Sequence, residues 1–256
     1  MPSDAESPDG FLGGRVHLYQ PQGGHRVGFD AAFLQAAIPG EASGHLIDFG
    51  AGCGAVALAA AARAPALTVT GIEREAAMVA LAKQALADPG NAEFAGRVRF
   101  VEGDVTAGRA AREALGLADQ SADWLVMNPP FATAGHVRAA PDRLKAAAHV
   151  MDAGGLDAWI QSAAGLLKAK GRLAVIHRAD ALAGLTTALA GRFGAVTLLP
   201  LHPRAGEPAT RLVVTAICGS KAPLSLLSGM VLHEKDGTWT AAAAEILHGR
   251  KTLPLW

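Results

Sequence analysis

Cysteine is nearly absent from this sequence. Cys53 and Cys218 are the only two in 256 residues and form no Cys-x-x-Cys pair, so neither a disulfide scaffold nor a structural zinc is expected. Net charge is absent too. The 23 Lys and Arg balance 23 Asp and Glu, which excludes nucleic-acid affinity through bulk positive charge and leaves only a local patch. No membrane-length apolar run exists. The most apolar stretch, Ala55 to Ala62, stops at Arg63 and Pro65, short of the ~20 residues that span a bilayer. The first ten residues hold Asp4, Glu6 and Asp9 and no base, the opposite of a secretory or mitochondrial leader. What is present is apolar. Half of the residues are hydrophobic and the mean hydropathy is +0.23, so the chain can build a buried core and is not disordered overall. The expectation is a cytoplasmic globular enzyme or binding domain with no membrane and no metal among its partners.

Along the chain, strand-like and helix-like stretches alternate. Short apolar or β-branched runs at His45–Phe49, Leu67–Ile72, Arg97–Val101, Asp123–Met127 and Leu173–His177 read as strands. Between them, Ala55–Ala64, Arg74–Ala87, Ala107–Leu115 and Leu156–Lys168 read as helices, with another at Ala181–Ala190. Alternation of this kind predicts an α/β fold with a parallel sheet and helices on both faces. Two final strands, Val196–Leu201 and Leu212–Cys218, have no helix between them and predict an antiparallel strand at that end. Residues 1–10 read as a disordered tail and residues 11–256 as a single domain. Within it, 230–256 forms a small C-terminal extension, with a hairpin turning at Asp236-Gly237 and a helix from Ala241 to Leu247.

Asp48-Phe-Gly50-Ala-Gly52-Cys-Gly54 lies between the first of these strands and its helix. Glycines there let the backbone take left-handed angles and approach a ligand closely. In an open parallel sheet, ligands bind beyond the carboxyl ends of the strands, where the strand order reverses. Gly50, Gly52 and Ala55 also satisfy the dinucleotide fingerprint, and Glu73 at the end of the second strand suits a ribose clamp. At this point NAD and another adenosine cofactor remain open.

Asn128-Pro-Pro-Phe131 follows the fourth strand directly. The prolines stop the ladder and hold the backbone stiff. Asn128 offers a side-chain carbonyl and Pro129 a main-chain carbonyl. Two rigid acceptors beside an aromatic ring make a receptor for a planar group bearing an NH2. An NAD-dependent oxidoreductase leaves this motif unexplained.

Asp48-x-Gly50-x-Gly52-x-Gly54, Glu73, Asp104 after the third strand, and Asn128-Pro-Pro-Phe131 together resemble the ordered motifs of class I S-adenosylmethionine-dependent methyltransferases. The Asn-Pro-Pro-aromatic signature belongs to the branch that methylates planar nitrogens. The resemblance covers roughly residues 11–218. Within it, Phe11-Leu-Gly-Gly, Tyr19-Gln-Pro and Gly24-His-Arg26-Val-Gly-Phe-Asp30, with Leu199-Pro-Leu-His-Pro-Arg204 and Arg211 downstream, are similar to the bacterial tRNA adenine-N6 methyltransferase family acting on valine tRNA. The resemblance implies a Rossmann-like, mostly parallel seven-stranded sheet with an antiparallel last strand. It implies S-adenosylmethionine as cofactor and tRNA as substrate. Gly50, Gly52 and Gly54 would pack against the methionyl and ribose parts, with Asp48 placing the amino-acid end. Glu73 would take the ribose hydroxyls, and Asp104 the adenine amine beside Val105. Arg26 suits the methionyl carboxylate. Asn128 and Pro129 would accept the hydrogens of the target amine, Phe131 would stack on the base, and Pro130 would line its site.

The RNA would be tracked by segments rich in base. Residues 11–29 carry Arg15, His17, His25 and Arg26 without an acid, and residues 132–150 carry Arg138, Arg143 and Lys145 against Asp142. Arg204 and Arg211 follow the sixth strand. Two other readings compete. A protein glutamine also presents a planar NH2, although that family usually has tyrosine after the prolines and a helical domain before the sheet. A non-catalytic RNA- or nucleotide-binding module would show a damaged motif, and none is damaged.

Overall fold

The computed structural model describes residues 8–21, 26–130 and 153–256. The chain opens with strand β1 (Asp9–Phe11), antiparallel to β2 (Val16–Leu18). Asp9 and Gly10 therefore belong to a hairpin, although the sequence places them in a tail. The hairpin is anchored from outside: Leu12 is buried, and Asn91 accepts from the His17 backbone N–H at 3.0 Å. Asp88 holds the His17 ring and the Tyr19 hydroxyl at 2.8 Å each. Helix α1 (Phe29–Ala36) follows.

The α/β alternation then runs as β3 (Ser43–Phe49), α2 (Ala55–Arg63), β4 (Ala66–Glu73), α3 (Ala76–Ala87), a single turn α4 (Ala92–Ala95), β5 (Val98–Glu102), α5 (Arg109–Ala114) and β6 (Ala122–Met127). It resumes with α6 (Ala153–Leu166), β7 (Leu167–Arg178), α7 (Leu182–Leu189), β8 (Phe193–His202) and β9 (Arg211–Cys218). Two-residue strands β10 (Ser225–Leu226) and β11 (Met230–Val231) and helix α8 (Ala241–Leu247) complete the described chain.

One difference from the sequence pattern falls at 167–171. The helix expected to reach Lys168 ends at Leu166, because Leu167 already pairs with Ala122 of β6. The register then shifts before Arg172 pairs with Trp124, and Lys170 takes a left-handed φ of 66° in the irregular stretch.

The sheet order is β10-β8-β9-β7-β6-β3-β4-β5, with β11 also on β8. Strands β3 to β7 are parallel, and β9 is antiparallel to both its neighbours. The expected seven strands are the body of this sheet; β10 and β11 extend it. The antiparallel strand sits inside, between β7 and β8. A strand's alternating side chains feed two cores. Leu46, Val126, Ala174 and Ile176 join α1, α2, α3 and α8 on one face. Ile47, Leu125, Met127, Leu173 and Val175 join α6 and α7 on the other. Among the described residues no helix is long and apolar enough to cross a membrane.

The C-terminal extension is bound to the domain. His233 bridges to Trp239 across the Asp236-Gly237 turn, and α8 spans the expected residues. Leu253 donates its backbone N–H to Ala36, Leu253 and Leu255 are buried, and the Trp256 indole donates to the Ala37 carbonyl. The Arg172 guanidinium lies 4.8 Å from the Trp124 ring and 5.1 Å from that of Trp256. Leu255→Ala should therefore destabilise the domain by about 2–5 kcal/mol, the cost of a buried leucine cavity. Urea unfolding checks this; a midpoint unchanged from wild type would show that the tail is a passive appendage.

Candidate active site

The strand order reverses between β3 and β6: β4 and β5 continue one way from β3, and β6 and β7 the other. Phe49 and Met127 are paired partners at the ends of β3 and β6. Gly50 and Asn128 are the residues that follow these strand ends, and neighbouring strands lie about 4.8 Å apart. The two motifs, nearly eighty residues apart in sequence, thus meet at the crevice where open α/β sheets bind ligands.

Asp48 is the penultimate residue of β3. It is buried, and its Oδ2 has no partner among the described residues. Burial pushes its pKa from 3.8 up to about 8; the Glu73 charge adds to the rise, and the Ala57 backbone N–H opposes it. That shift favours the neutral carboxyl at pH 7, and a cation placed beside it would favour the charged form. The folded chain holds a proton on Asp48 between pH 3.8 and about 8 that the unfolded chain has lost. Stability contributed by this site accordingly falls as pH rises through that window. Asp48→Asn, which cannot ionise, should melt progressively higher than wild type as pH rises from 4 to 8, by several degrees at the top. A melting difference that does not change with pH would mean Asp48 is already ionised.

The loop itself is bent by its glycines. Gly50, Gly52 and Gly54 have φ of +65°, +55° and +90°. Space forbids a side chain at two of them: a Cβ on Gly50 would lie 2.7 Å from the Trp159 ring, and one on Gly54 2.5 Å from the Phe100 ring. Glu73 closes the loop from β4. Its Oε2 accepts from the Gly52 N–H and its Oε1 from the Glu75 N–H, each at 2.9 Å. Cys53 is buried, and burial raises its thiol to about 11. It is therefore a protonated spacer, not a nucleophile.

Glu73 pairs with Glu102 at the end of β5, so Asp104 stands two residues beyond, on the same rim. Asp104 is exposed, and its Oδ1 accepts the Thr106 N–H at 2.8 Å and the Thr106 hydroxyl at 2.6 Å. Val105 is buried, and its carbonyl accepts from Ser162 Oγ of α6 at 2.5 Å. The acid is thus presented on a shaped turn with an apolar residue beside it.

Across the crevice, Pro129 is buried and Pro130 half-buried. The Asn128 Oδ1 is buried without a hydrogen-bond partner among the described residues. A buried carbonyl left unpaired costs about 1–3 kcal/mol, and a polar atom kept in that state is poised to receive a donor. Phe131, Arg138 and Arg143 lie outside the described residues, as does His25.

Arg26 stands at the rim. Its guanidinium is exposed and donates to Asp9 at 2.5 Å; the Asp9 charge also reaches Cys53 in the loop. An exposed pair of this kind is worth about 0–1 kcal/mol, so Arg26 can leave Asp9 for another carboxylate at little cost. Arg204 is exposed on the loop after β8, 3.7 Å from Glu207. His177, near the end of β7, is buried, and burial lowers its pKa, which keeps it neutral. Sequence reasoning missed Trp159, which seals the floor under Gly50 and meets Phe49 edge-on at 6.0 Å. Its helical spacing with Leu156, Ile160 and Ala163 signals a core face, but nothing local says which loop that face meets. Also missed was the pairing of Asp30 in the first turn of α1 with Arg211 Nε, 3.1 Å from both carboxylate oxygens. Gly28 is the N-cap of that helix.

Comparison with known proteins agrees with this geometry. The family model of the methyltransferase small domain matches residues 24–201. A tRNA1(Val) (adenine(37)-N6)-methyltransferase from Porphyromonas gingivalis is 34% identical over 165 residues, which cover 62% of this chain and 61% of that relative. The crystal structure of a predicted O-methyltransferase from Agrobacterium tumefaciens superposes with a TM-score of 0.75 at 32% identity, covering 88% of this chain and 98% of that one. An O-methyltransferase from Thermotoga maritima, at 17% identity and a TM-score of 0.50 over 78% of this chain and 68% of its own, shares the fold.

Proposed function

The chain belongs to the methyltransferase small domain family, and from that premise we propose that it transfers a methyl group from S-adenosylmethionine to a planar exocyclic nitrogen, adenine N6 of a tRNA. The observation that carries the reading is the orphaned Asn128 Oδ1, buried one strand away from the glycine loop. The adenine-N6 substrate named for the Porphyromonas gingivalis relative supports the finer assignment.

The residues present suit the cofactor. The left-handed glycines bend the loop tightly at the end of β3, and the Asp48 Oδ2, without a partner among the described residues, suits a hydrogen-bond donor or a cation. Asp48 would hold the ammonium end, Arg26 the carboxylate, Glu73 the ribose hydroxyls, and Asp104 with Val105 the adenine. Bound there, S-adenosylmethionine supplies an electrophilic methyl carbon on a sulfonium. Asn128 Oδ1 and the Pro129 carbonyl accept the two hydrogens of the target amine. Those bonds favour a pyramidal nitrogen, its lone pair withdrawn from the ring and aimed at the methyl carbon. The nitrogen would gain the methyl group as the methyl–sulfur bond breaks to leave a neutral thioether, and would then release one proton to water, so no strong base is required. Phe131 would stack on the base and Pro130 would wall its site. Arg138, Arg143 and Arg204 would meet phosphates, as expected of a cytoplasmic enzyme acting on tRNA.

The test is nucleoside mass spectrometry of RNA from cells with and without the protein, paired with labelled-methyl transfer to unmodified tRNA by the purified chain. N6-methyladenosine that depends on the protein supports the proposal. Label found in protein glutamine, with none in any RNA pool, would move the assignment to the glutamine-N5 reaction.

A further inference from the structure

Beside the crevice, on the same edge of the sheet, the C-terminal hairpin displays an aromatic platform whose Trp239 and His233 lie outside both the motifs and the residues the family model matches. The Trp239 ring stacks on His233 at 4.1 Å with a tilt of 33° and meets Phe29 at 6.0 Å. Phe29 in turn lies 5.8 Å from the Arg211 guanidinium, which Asp30 holds. Trp239 is 38% exposed, so part of its ring is open to a partner. The platform is held rigidly. Leu232 and His233 donate their backbone N–H groups to His202 and Pro203 at the end of β8, and Thr240 caps α8 while donating to Val231.

Register gives the approximate separation of Asn128 from Arg211, the inner end of this group. Asn128 extends β6, β7 lies beside β6, and β9 lies beside β7, with Arg211 opposite Arg178. Two strand spacings and two residues of rise separate Asn128 from Arg211, an oblique distance of about 12 Å. One ring beyond Arg211 is Phe29, and one further is Trp239. A nucleotide chain whose target base enters at Asn128 passes the platform within a few nucleotides.

We propose that Trp239, backed by His233 and Phe29, stacks on the base of an unpaired nucleotide flanking the target in the RNA substrate. This rests on the RNA methylation reading above. Base–aromatic stacking serves any base, because each has a π-face. The charges around the hairpin argue for stacking rather than phosphate contact. Glu234, Lys235 and Asp236 leave it with no excess of base, and Arg211 is already engaged by Asp30. A contact of this kind strengthens RNA binding without releasing counterions, so it leaves the salt dependence alone.

The experiment measures methylation kinetics with a synthetic stem-loop RNA carrying adenosine in its loop, for wild type, Trp239→Leu and Trp239→Phe. Loss of the stack in the leucine variant should raise the KM for RNA about ten-fold. Turnover at saturating RNA, affinity for S-adenosylmethionine and the slope of RNA affinity against salt should all stay as in wild type. The phenylalanine variant should lie near wild type. A leucine variant with unchanged KM overturns the platform while the RNA reading stands. A wild-type protein that methylates no RNA overturns both, and that result is read without any variant. A KM increase seen with a glutamine peptide instead of RNA replaces the nucleobase as occupant and also overturns the proposal. Should the leucine variant misfold, abasic sugars placed in turn at each loop position of the RNA probe the wild-type enzyme. One position besides the target should then raise KM comparably; none doing so overturns the stack.

Discussion

Replacing Asn128 with alanine should lower turnover by about a hundred-fold or more, with little change in affinity for S-adenosylmethionine. The magnitude follows from the loss of one pre-aimed polar group that acts most strongly as the reacting centre changes charge and shape. The side-chain oxygen is buried and has no partner among the described residues, so no described bond ties it to the glycine-loop scaffold, and its removal should leave that scaffold in place. Stability should hold or rise, because deleting an unsatisfied buried carbonyl relieves its desolvation cost. The pairing of a large loss in turnover with no loss in melting temperature separates a catalytic residue from a structural one. Single-turnover methyl transfer to unmodified tRNA, calorimetry with the cofactor, and thermal melting supply the three readings. A variant that turns over near the wild-type rate would remove Asn128 from the amine site.

Glu73→Ala should weaken S-adenosylmethionine binding by about a hundred-fold, consistent with losing two charge-assisted hydrogen bonds. The carboxylate has two tasks. In the structure its oxygens hold the Gly52 and Glu75 N–H groups, which sets the bend of the glycine loop. In the proposed complex the same group, at the carboxyl end of β4, meets the ribose. Glu73→Gln keeps one acceptor oxygen and should fall between wild type and alanine. Isothermal calorimetry on the three proteins reads the series directly. Affinity unchanged in the alanine variant would take Glu73 out of the cofactor site, leaving it a loop-bending role only.

Much of the architecture was legible from pattern. Strands β3, β6 and β7 are apolar on both faces, and most helices between strands have a clear stop, such as Pro65 after Arg63. Both signals are local, so most strand and helix limits came within one or two residues; β7 begins earlier than its pattern, at Leu167, as do β8 at Phe193 and α6 at Ala153. Legibility failed where pairing overrode local preference. Lys168 to Gly171 reads as the end of a helix, yet the ladder to β6 captures Leu167 first. Asp9 and Gly10 read as tail because what orders them, the contacts of His17 and Tyr19 with Asp88 and Asn91, comes from residues about seventy positions away.

The site divides in the same way. The sequence by itself determined which residues could serve: glycines where the backbone must turn left-handed, an acid at the end of the second strand of the alternation, and an Asn-Pro-Pro-Phe run that cannot continue a strand. Those are covalent and conformational properties of short segments, and they travel with the residues. Only the tertiary structure decided that Asp48 holds a proton at neutral pH, that Trp159 floors the loop at Gly50, that Asp9 engages Arg26, and that the Asn128 carbonyl oxygen is buried without a donor. Trp239 likewise becomes a platform only because β8 carries its hairpin to the edge where Phe29 and Arg211 stand. The physical reason is common to all five. Desolvation, exposure and charge pairing depend on what packs against a group from distant parts of the chain, and no window of sequence contains its own surroundings.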